Sequence, residues 1–314
     1  MNRVSLKNWF LIGCLAVVGL GSCTAPGEAL TDRKKRENDA EIAQYIATNN
    51  LTGKAQTTDN GTWYVITTSN PTGQTAGTGD EIKYHYIARR FDGLIDDSTD
   101  LAPNLPRMFT RGYYDGNVIT AGIYDGIVNS GAVKTGLERV GLRKGERATL
   151  LVPSYLDAGR VGTLLLPQYS PVQYDVTVVN VRTEEQQIQD YLKAAKITPT
   201  FSETNGLRVT VTQARPDSVQ ITTGKTVTAT YKGYFTNGKV FDSGSQPISA
   251  QIGANSVVPG FDQGLTKLRQ GEKATIIFPS ALGYGIAGSR NNNGAYTVPP
   301  YSPLIFDVTI TSVK

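Results

Sequence analysis

Val227-Thr228-Ala229-Thr230-Tyr231 places apolar side chains at odd positions with threonines between them, the two-residue period of a half-buried strand. The run continues as Lys232-Gly233-Tyr234-Phe235, then Gly238-Lys239-Val240-Phe241-Asp242-Ser243. Toward the C-terminus, Ile305 to Ile310 alternates in the same way with its even positions on one face, so an antiparallel sheet is the natural reading. Between these runs Phe261, Leu265 and Leu268 share one face of a short helix. A bent sheet wrapped on a short helix is the expected unit.

That unit occurs twice. Ile42, Tyr45, Ile46 and Leu51 repeat as Ile188, Tyr191, Leu192 and Ile197 at a helical spacing, so each copy opens with an amphipathic helix. Asn60-Gly61 matches Asn205-Gly206, Pro71 matches Pro216, Gly79 matches Gly224, Tyr86 matches Tyr231 and Gly93 matches Gly238. Further on, Gly145-Glu146 matches Gly271-Glu272 and Pro153 matches Pro279, at an offset shorter by about 19 residues. The first copy is therefore expected to carry an insertion near 98–130. Near the end, Pro167 to Asp175 matches Pro300 to Asp307, and the second copy gains about six residues around Gly285 to Val298.

Composition agrees with a strand-rich protein of two domains. The chain has 314 residues, against roughly 100–200 per domain, and its aromatics are mostly tyrosine, 16 against 9 phenylalanines and 2 tryptophans. One histidine and two cysteines cannot assemble a Cys/His zinc cage, and a histidine-based triad would rest on His85 alone. The net charge of +4, to which Arg3 and Lys7 contribute, is no nucleic-acid footprint. No cofactor, metal or nucleic acid is expected. Alternation turns His85 away from the face of Tyr86, which favours a surface or satisfied histidine over a catalytic one.

The amino terminus reads as an address. Arg3 and Lys7 precede an apolar run from Trp9 to Leu20, shorter than the ~20 residues a spanning helix needs and ending Leu20-Gly21-Ser22-Cys23. This end resembles a bacterial lipoprotein processing box, which implies removal of residues 1–22 and acylation of Cys23, with residues 23–36 as a tether.

Residues 224–314 resemble the FKBP-type peptidyl-prolyl cis-trans isomerases. The resemblance rests on the two runs quoted first, with Val257-Val258-Pro259-Gly260-Phe261, Gly264-Leu265, Gly271-Glu272-Lys273, Pro279, Tyr284-Gly285, Val298-Pro299-Pro300 and Leu304-Ile305-Phe306-Asp307-Val308 in the same order. It implies an α+β fold of two such domains, each a twisted antiparallel half-barrel sheet wrapped on a short helix. It also implies a prolyl pocket. Asp242, Tyr284, Tyr231, Phe241 and Phe306 would carry the chemistry, with Ile248, Val257, Val258, Phe261 and Val298 holding substrate. Phe261 stands where the family usually has tryptophan, and Ile248 where phenylalanine is common. Ser289 to Gly294 lengthens a loop beside the pocket.

In the first copy, residues 37–182, the same register keeps Tyr86 and Asp97 but puts Asp96 for Phe241, Thr135 for Phe261 and Ala158 for Tyr284. A charge in an apolar wall is costly unless solvated or paired, so this pocket is expected to be open, filled or absent, and the domain inactive. Residues 183–223 would join the domains as a linker helix and lead-in strand. The expected function is isomerisation of X-Pro bonds in exported, proline-containing polypeptides by the second domain. The protein would be lipid-anchored outside the cytoplasm of a bacterium, facing the periplasm. The competing reading is a prolyl-peptide binding module or holdase with little turnover.

Overall fold

A computed structural model describes residues 28–99, 105–131, 133–135, 138–157, 159 and 161–314. Cys23, the apolar run Trp9 to Leu20 before it, and Ala158 lie outside the described residues.

The first domain opens with α1 (Leu30–Thr48), followed by β1 (Gln56–Thr57), β2 (Trp63–Thr68), β3 (Glu81–Arg89), β4 (Ile95–Ser98) and β5 (Arg107–Thr110). Helix α2 (Ala121–Val128), a hairpin of β6 (Val133–Thr135) and β7 (Glu138–Arg139), β8 (Arg147–Val152) and β9 (Val172–Arg182) complete it. The second domain has α3 (Glu184–Ala195), β10 (Phe201–Ser202), β11 (Arg208–Gln213), β12 (Thr226–Phe235), β13 (Val240–Asp242) and β14 (Ile248–Gln251). It ends with α4 (Pro259–Leu265), β15 (Lys273–Phe278), a small hairpin of β16 (Ser289–Arg290) and β17 (Tyr296–Val298), and β18 (Leu304–Val313).

The two main sheets have the same topology. One runs β1-β2-β8-β9-β3-β4 with β5 also on β3, and the other β10-β11-β15-β18-β12-β13 with β14 also on β12. All the pairings are antiparallel. The lead-in strand before residue 224 is β11, which pairs with β15 inside the second sheet.

Each sheet is buried on both faces at its centre, on β8 and β15. On β15, Ile276 and Phe278 join the core that holds α4, while Ile277 packs with Ile188 and Leu192 of α3. On β8, Leu150 and Val152 face α2, while Leu151 packs with Ile42 and Ile46 of α1. Strands buried on both faces lose the polar alternation of a one-sided sheet, hence the continuous apolar runs here. Helix α3 starts with a reciprocal cap: Gln186 N–H donates to Thr183 Oγ1 at 3.1 Å and Thr183 N–H to Gln186 Oε1 at 2.8 Å.

Helix α2 corrects the register assigned to the first domain. Ala121-Gly122-Ile123 and Gly126 take the places of Pro259-Gly260-Phe261 and Gly264. A Cβ built on Gly122 would lie 2.1 Å from Val152, and on Gly260 2.4 Å from Phe278. On Gly126 and Gly264 it would meet Leu150 and Ile276, both at 2.5 Å. Only glycine lets either helix approach its sheet so closely. Ile123, not Thr135, is therefore the counterpart of Phe261, and Thr135 lies in the β6–β7 hairpin. The extra residues are also divided. Part of them lies before α2, and the hairpin after it, so the stretch 98–130 is not one insertion. His85 is buried, with Nδ1 3.0 Å from Thr99 Oγ1, which makes it a satisfied histidine.

Candidate active site

Strand β12 carries Tyr231 on its core face, and the strand beside it, β13, carries Phe241 and Asp242. The Tyr231 hydroxyl donates to Asp242 Oδ2 at 2.6 Å, and the Gly244 N–H donates to Asp242 Oδ1 at 3.0 Å. The carboxylate is thus held from two sides. Burial, followed by the bond to Asp242, pushes the Tyr231 hydroxyl up to about 12.

The walls are aromatic. The Phe306 ring, on β18, lies 4.9 Å from Phe261 and 5.5 Å from Phe241, both edge to face, and 6.1 Å from Tyr231. Phe278 stacks behind Phe306 at 5.8 Å. Such rings add stabilisation beyond their buried area and hold one another in place. Phe261, Val298 and Phe306 are buried, and Ile248, Val257, Val258, Tyr231 and Phe241 pack against the same cluster at its edge. All the apolar residues expected to hold a prolyl ring therefore meet on one side of the second sheet. Val258 is the residue before α4, and its carbonyl accepts the N–H groups of Phe261 and Asp262 at 3.0 and 3.1 Å, which fixes the backbone there.

Tyr284 completes the rim and is 37% exposed. Burial and then the charge of Asp242 push its hydroxyl upward. The turn that carries it is pinned: Gly283 and Gly285 N–H groups both donate to the Ser280 carbonyl, at 2.8 and 2.9 Å. Ser280 is held in turn by Glu184 of α3, a residue the sequence reading passed over. Its signal was available, since Asn38 occupies the matching place in the first helix and accepts the Ser154 N–H at 2.6 Å.

The lengthened loop beside the pocket forms β16 and β17. Arg290 lies over the Tyr296 ring at 3.5 Å, and Tyr296 meets Tyr113 of the first domain edge to face at 5.2 Å. That loop thus leans on the neighbouring domain.

The first domain has a concavity of ≈ 420 Å³ at the matching place, lined by Tyr86, Asp96, Asp97, Ile123 and Tyr174. Its Tyr86 hydroxyl donates to Asp97 Oδ2 at 2.5 Å, as Tyr231 does to Asp242. Tyr174 stands where Phe306 does, opposite Leu150 as Phe306 is opposite Ile276. Asp96 replaces the Phe241 wall and accepts the Thr163 hydroxyl at 2.7 Å, so its charge is partnered and the pocket is open. Two aromatic walls have become Asp96 and Ile123.

Among the described residues no group of three or more His, Cys, Asp or Glu is placed to hold a metal ion, and no helix is long and apolar enough to cross a membrane.

Residues 217–311 match the family described as FKBP-type peptidyl-prolyl cis-trans isomerase. The FK506-binding protein of Neisseria meningitidis serogroup A is 34% identical over 93 residues, which are 29% of this chain and 81% of that protein. Peptidyl-prolyl cis-trans isomerase FKBP10 of Homo sapiens is 27% identical over 243 residues, 75% of this chain and 34% of the relative. Peptidyl-prolyl cis-trans isomerase FKBP53 of Arabidopsis thaliana is 36% identical over 114 residues, 35% of this chain and 23% of the relative. The chain thus spans 34% and 23% of the two larger relatives.

Proposed function

The chain belongs to the FKBP-type peptidyl-prolyl cis-trans isomerase family, and from that premise we propose that its second domain catalyses X-Pro isomerisation in exported polypeptides. The observation that carries this reading is the Asp242–Tyr231 pair set against Phe241, Phe261 and Phe306, with the Tyr284 hydroxyl at the rim.

The chemistry asked of such a site is modest. Resonance keeps the amide planar behind a barrier of about 18–20 kcal/mol, and no bond to carbon breaks during rotation. The twisted amide has lost that resonance and is less polar than the planar one. Apolar walls withhold the water that stabilises the planar form, and fixed donors hold the turning carbonyl more tightly as it twists. In this reading Tyr284 donates to a substrate carbonyl, and the Val258 N–H anchors the substrate backbone. Asp242 orders the pocket through Tyr231 and presents a charge to the rotating group.

The first domain, with Asp96 and Ile123 in place of two aromatic walls, is read as non-catalytic. Cys23 is read as the acylated N-terminus of the mature lipoprotein, which anchors both domains on the outer side of a bacterial cytoplasm, facing the periplasm. More than one acyl chain gives durable attachment where a single chain gives marginal binding.

Two measurements test these readings. The full chain should accelerate isomerisation of a prolyl tetrapeptide, and Asp242→Leu should abolish most of that acceleration; a binding module without turnover would show no acceleration in either. A Cys23→Ser variant should lose acyl labelling and leave the membrane fraction, and persistent labelling would refute the anchor.

A further inference from the structure

Between the two domains lies a cleft of ≈ 600 Å³, larger than the concavity of the first domain. That volume is within the ~300–1,000 Å³ range of ligand sites, which favour domain interfaces. The first domain contributes Met108 of β5, Tyr113 and Val118; the second contributes Phe235, Pro299 and Pro303. Met108 and Val118 are 39% and 46% exposed, which is unusual placement for two neighbouring apolar side chains in one concavity.

The cleft and the prolyl pocket share a rim. Phe235 lines the cleft and lies 5.1 Å, ring to ring, from Phe241, a wall of the pocket. Pro299 lines the cleft and is covalently joined to Val298, another pocket wall. Residues flanking a proline held in the pocket would therefore lie within reach of the cleft's edge at Phe235 and Pro299.

The lining charges rule out selection by net charge. Three acidic and three basic side chains line the cleft, and Arg182 is bonded to Glu81 at 2.7 Å and Asp190 at 2.8 Å. The three charges of each sign cancel, so the cleft as a whole favours neither anions nor cations. Apart from these charges and a few neutral polar groups, the lining is apolar and aromatic.

We infer that this cleft is a second substrate subsite, which takes an extended apolar segment of the same polypeptide that places its proline in the second domain. The inference rests on the proposed isomerase reading, and it gives the first domain a role in holding unfolded clients without an active pocket of its own.

The test uses the full chain and the double variant Met108→Glu/Val118→Asp, both positions being exposed and outside the prolyl pocket. Two quantities are measured: the rate on a prolyl tetrapeptide too short to reach the cleft, and the affinity for fluorescently labelled, reduced and carboxymethylated α-lactalbumin, a permanently unfolded chain. The tetrapeptide rate should be unchanged while affinity for the unfolded chain falls about tenfold or more, as for loss of a small apolar hot spot. Met108→Leu/Val118→Ile should retain wild-type affinity. Unchanged affinity in the acidic variant overturns the inference, as does an equal fall in both quantities, which would mark a disturbance of the pocket itself. If the unaltered chain fails to accelerate the tetrapeptide, the isomerase reading fails, and the affinity comparison still decides the cleft.

Discussion

Glu184, the first residue of α3, accepts both the backbone N–H and the hydroxyl of Ser280, each at 2.6 Å. The Ser280 carbonyl takes the N–H groups on either side of Tyr284. A helix that precedes the family-matched residues 217–311 thereby sets the position of the tyrosine at the pocket rim. In the first domain Asn38 makes the equivalent brace to Ser154 with a neutral side chain.

Removing the brace should therefore be felt at Tyr284. Glu184→Ala should lower kcat/KM on a prolyl tetrapeptide several-fold. Glu184→Gln should retain more activity, because its amide oxygen still accepts the Ser280 N–H. A variant pair of equal activity would show that the brace does not position the tyrosine.

The same carboxyl makes stability depend on pH. Burial raises Glu184 above its ordinary value of 4.5; the two Ser280 bonds oppose this, and Asp80 of the first domain adds to it. A folded pKa above the unfolded one means the native state holds the proton more tightly. The resulting stabilisation is complete below the unfolded pKa and is lost as pH rises through the folded value. Wild type should therefore gain stability relative to Glu184→Gln as pH falls from about 7 to about 4, measured by urea unfolding at each pH.

Catalysis should follow shape and dipoles more than titration. Tyr284→Phe keeps the ring and loses one donor, so kcat/KM should fall by the equivalent of ~1–3 kcal/mol. Asp242→Leu should cost at least as much, since it removes the acceptor of both Tyr231 and Gly244. Phe306→Ala empties a buried wall and should lower stability by roughly 3–5 kcal/mol. Paired measurements of turnover and urea midpoint separate these effects.

The pH–rate profile should be flat between about pH 6 and 8. Tyr231 is pushed up to about 12 and Tyr284 is also raised, so both hydroxyls keep their protons well past neutrality. A steep profile in that window, with the domain folded throughout, would point to general acid–base chemistry instead.

The paired glycines separate the two domains experimentally. Gly260→Ala must displace Phe278, which stacks behind Phe306, so it should cost ~1–3 kcal/mol of stability and also lower turnover. Gly122→Ala makes the same clash against Val152 in the first domain and should destabilise that domain with turnover preserved. Thermal unfolding alongside the tetrapeptide assay gives both readouts.

The strands around Tyr231 and Phe306, the duplicated unit and the aromatic side chains of the pocket were all legible in the linear order. Each is a local period or a repeated spacing, and strand alternation puts Val227, Ala229 and Tyr231 on one face whatever lies opposite. The register of α2 was less accessible. Extra residues on both sides of that helix broke the constant offset between the copies, and the Gly122/Gly126 spacing acquires its meaning only when Val152 and Leu150 are seen pressed against it. The Glu184–Ser280 brace joins residues 96 apart, and the Asn38–Ser154 brace residues 116 apart. The cleft between Met108 and Phe235 likewise depends on how two separately folded sheets are set beside each other. Local sequence encodes which side chains share a face; which distant faces meet is decided by the packing that excludes water between them, and only the tertiary structure contains that packing.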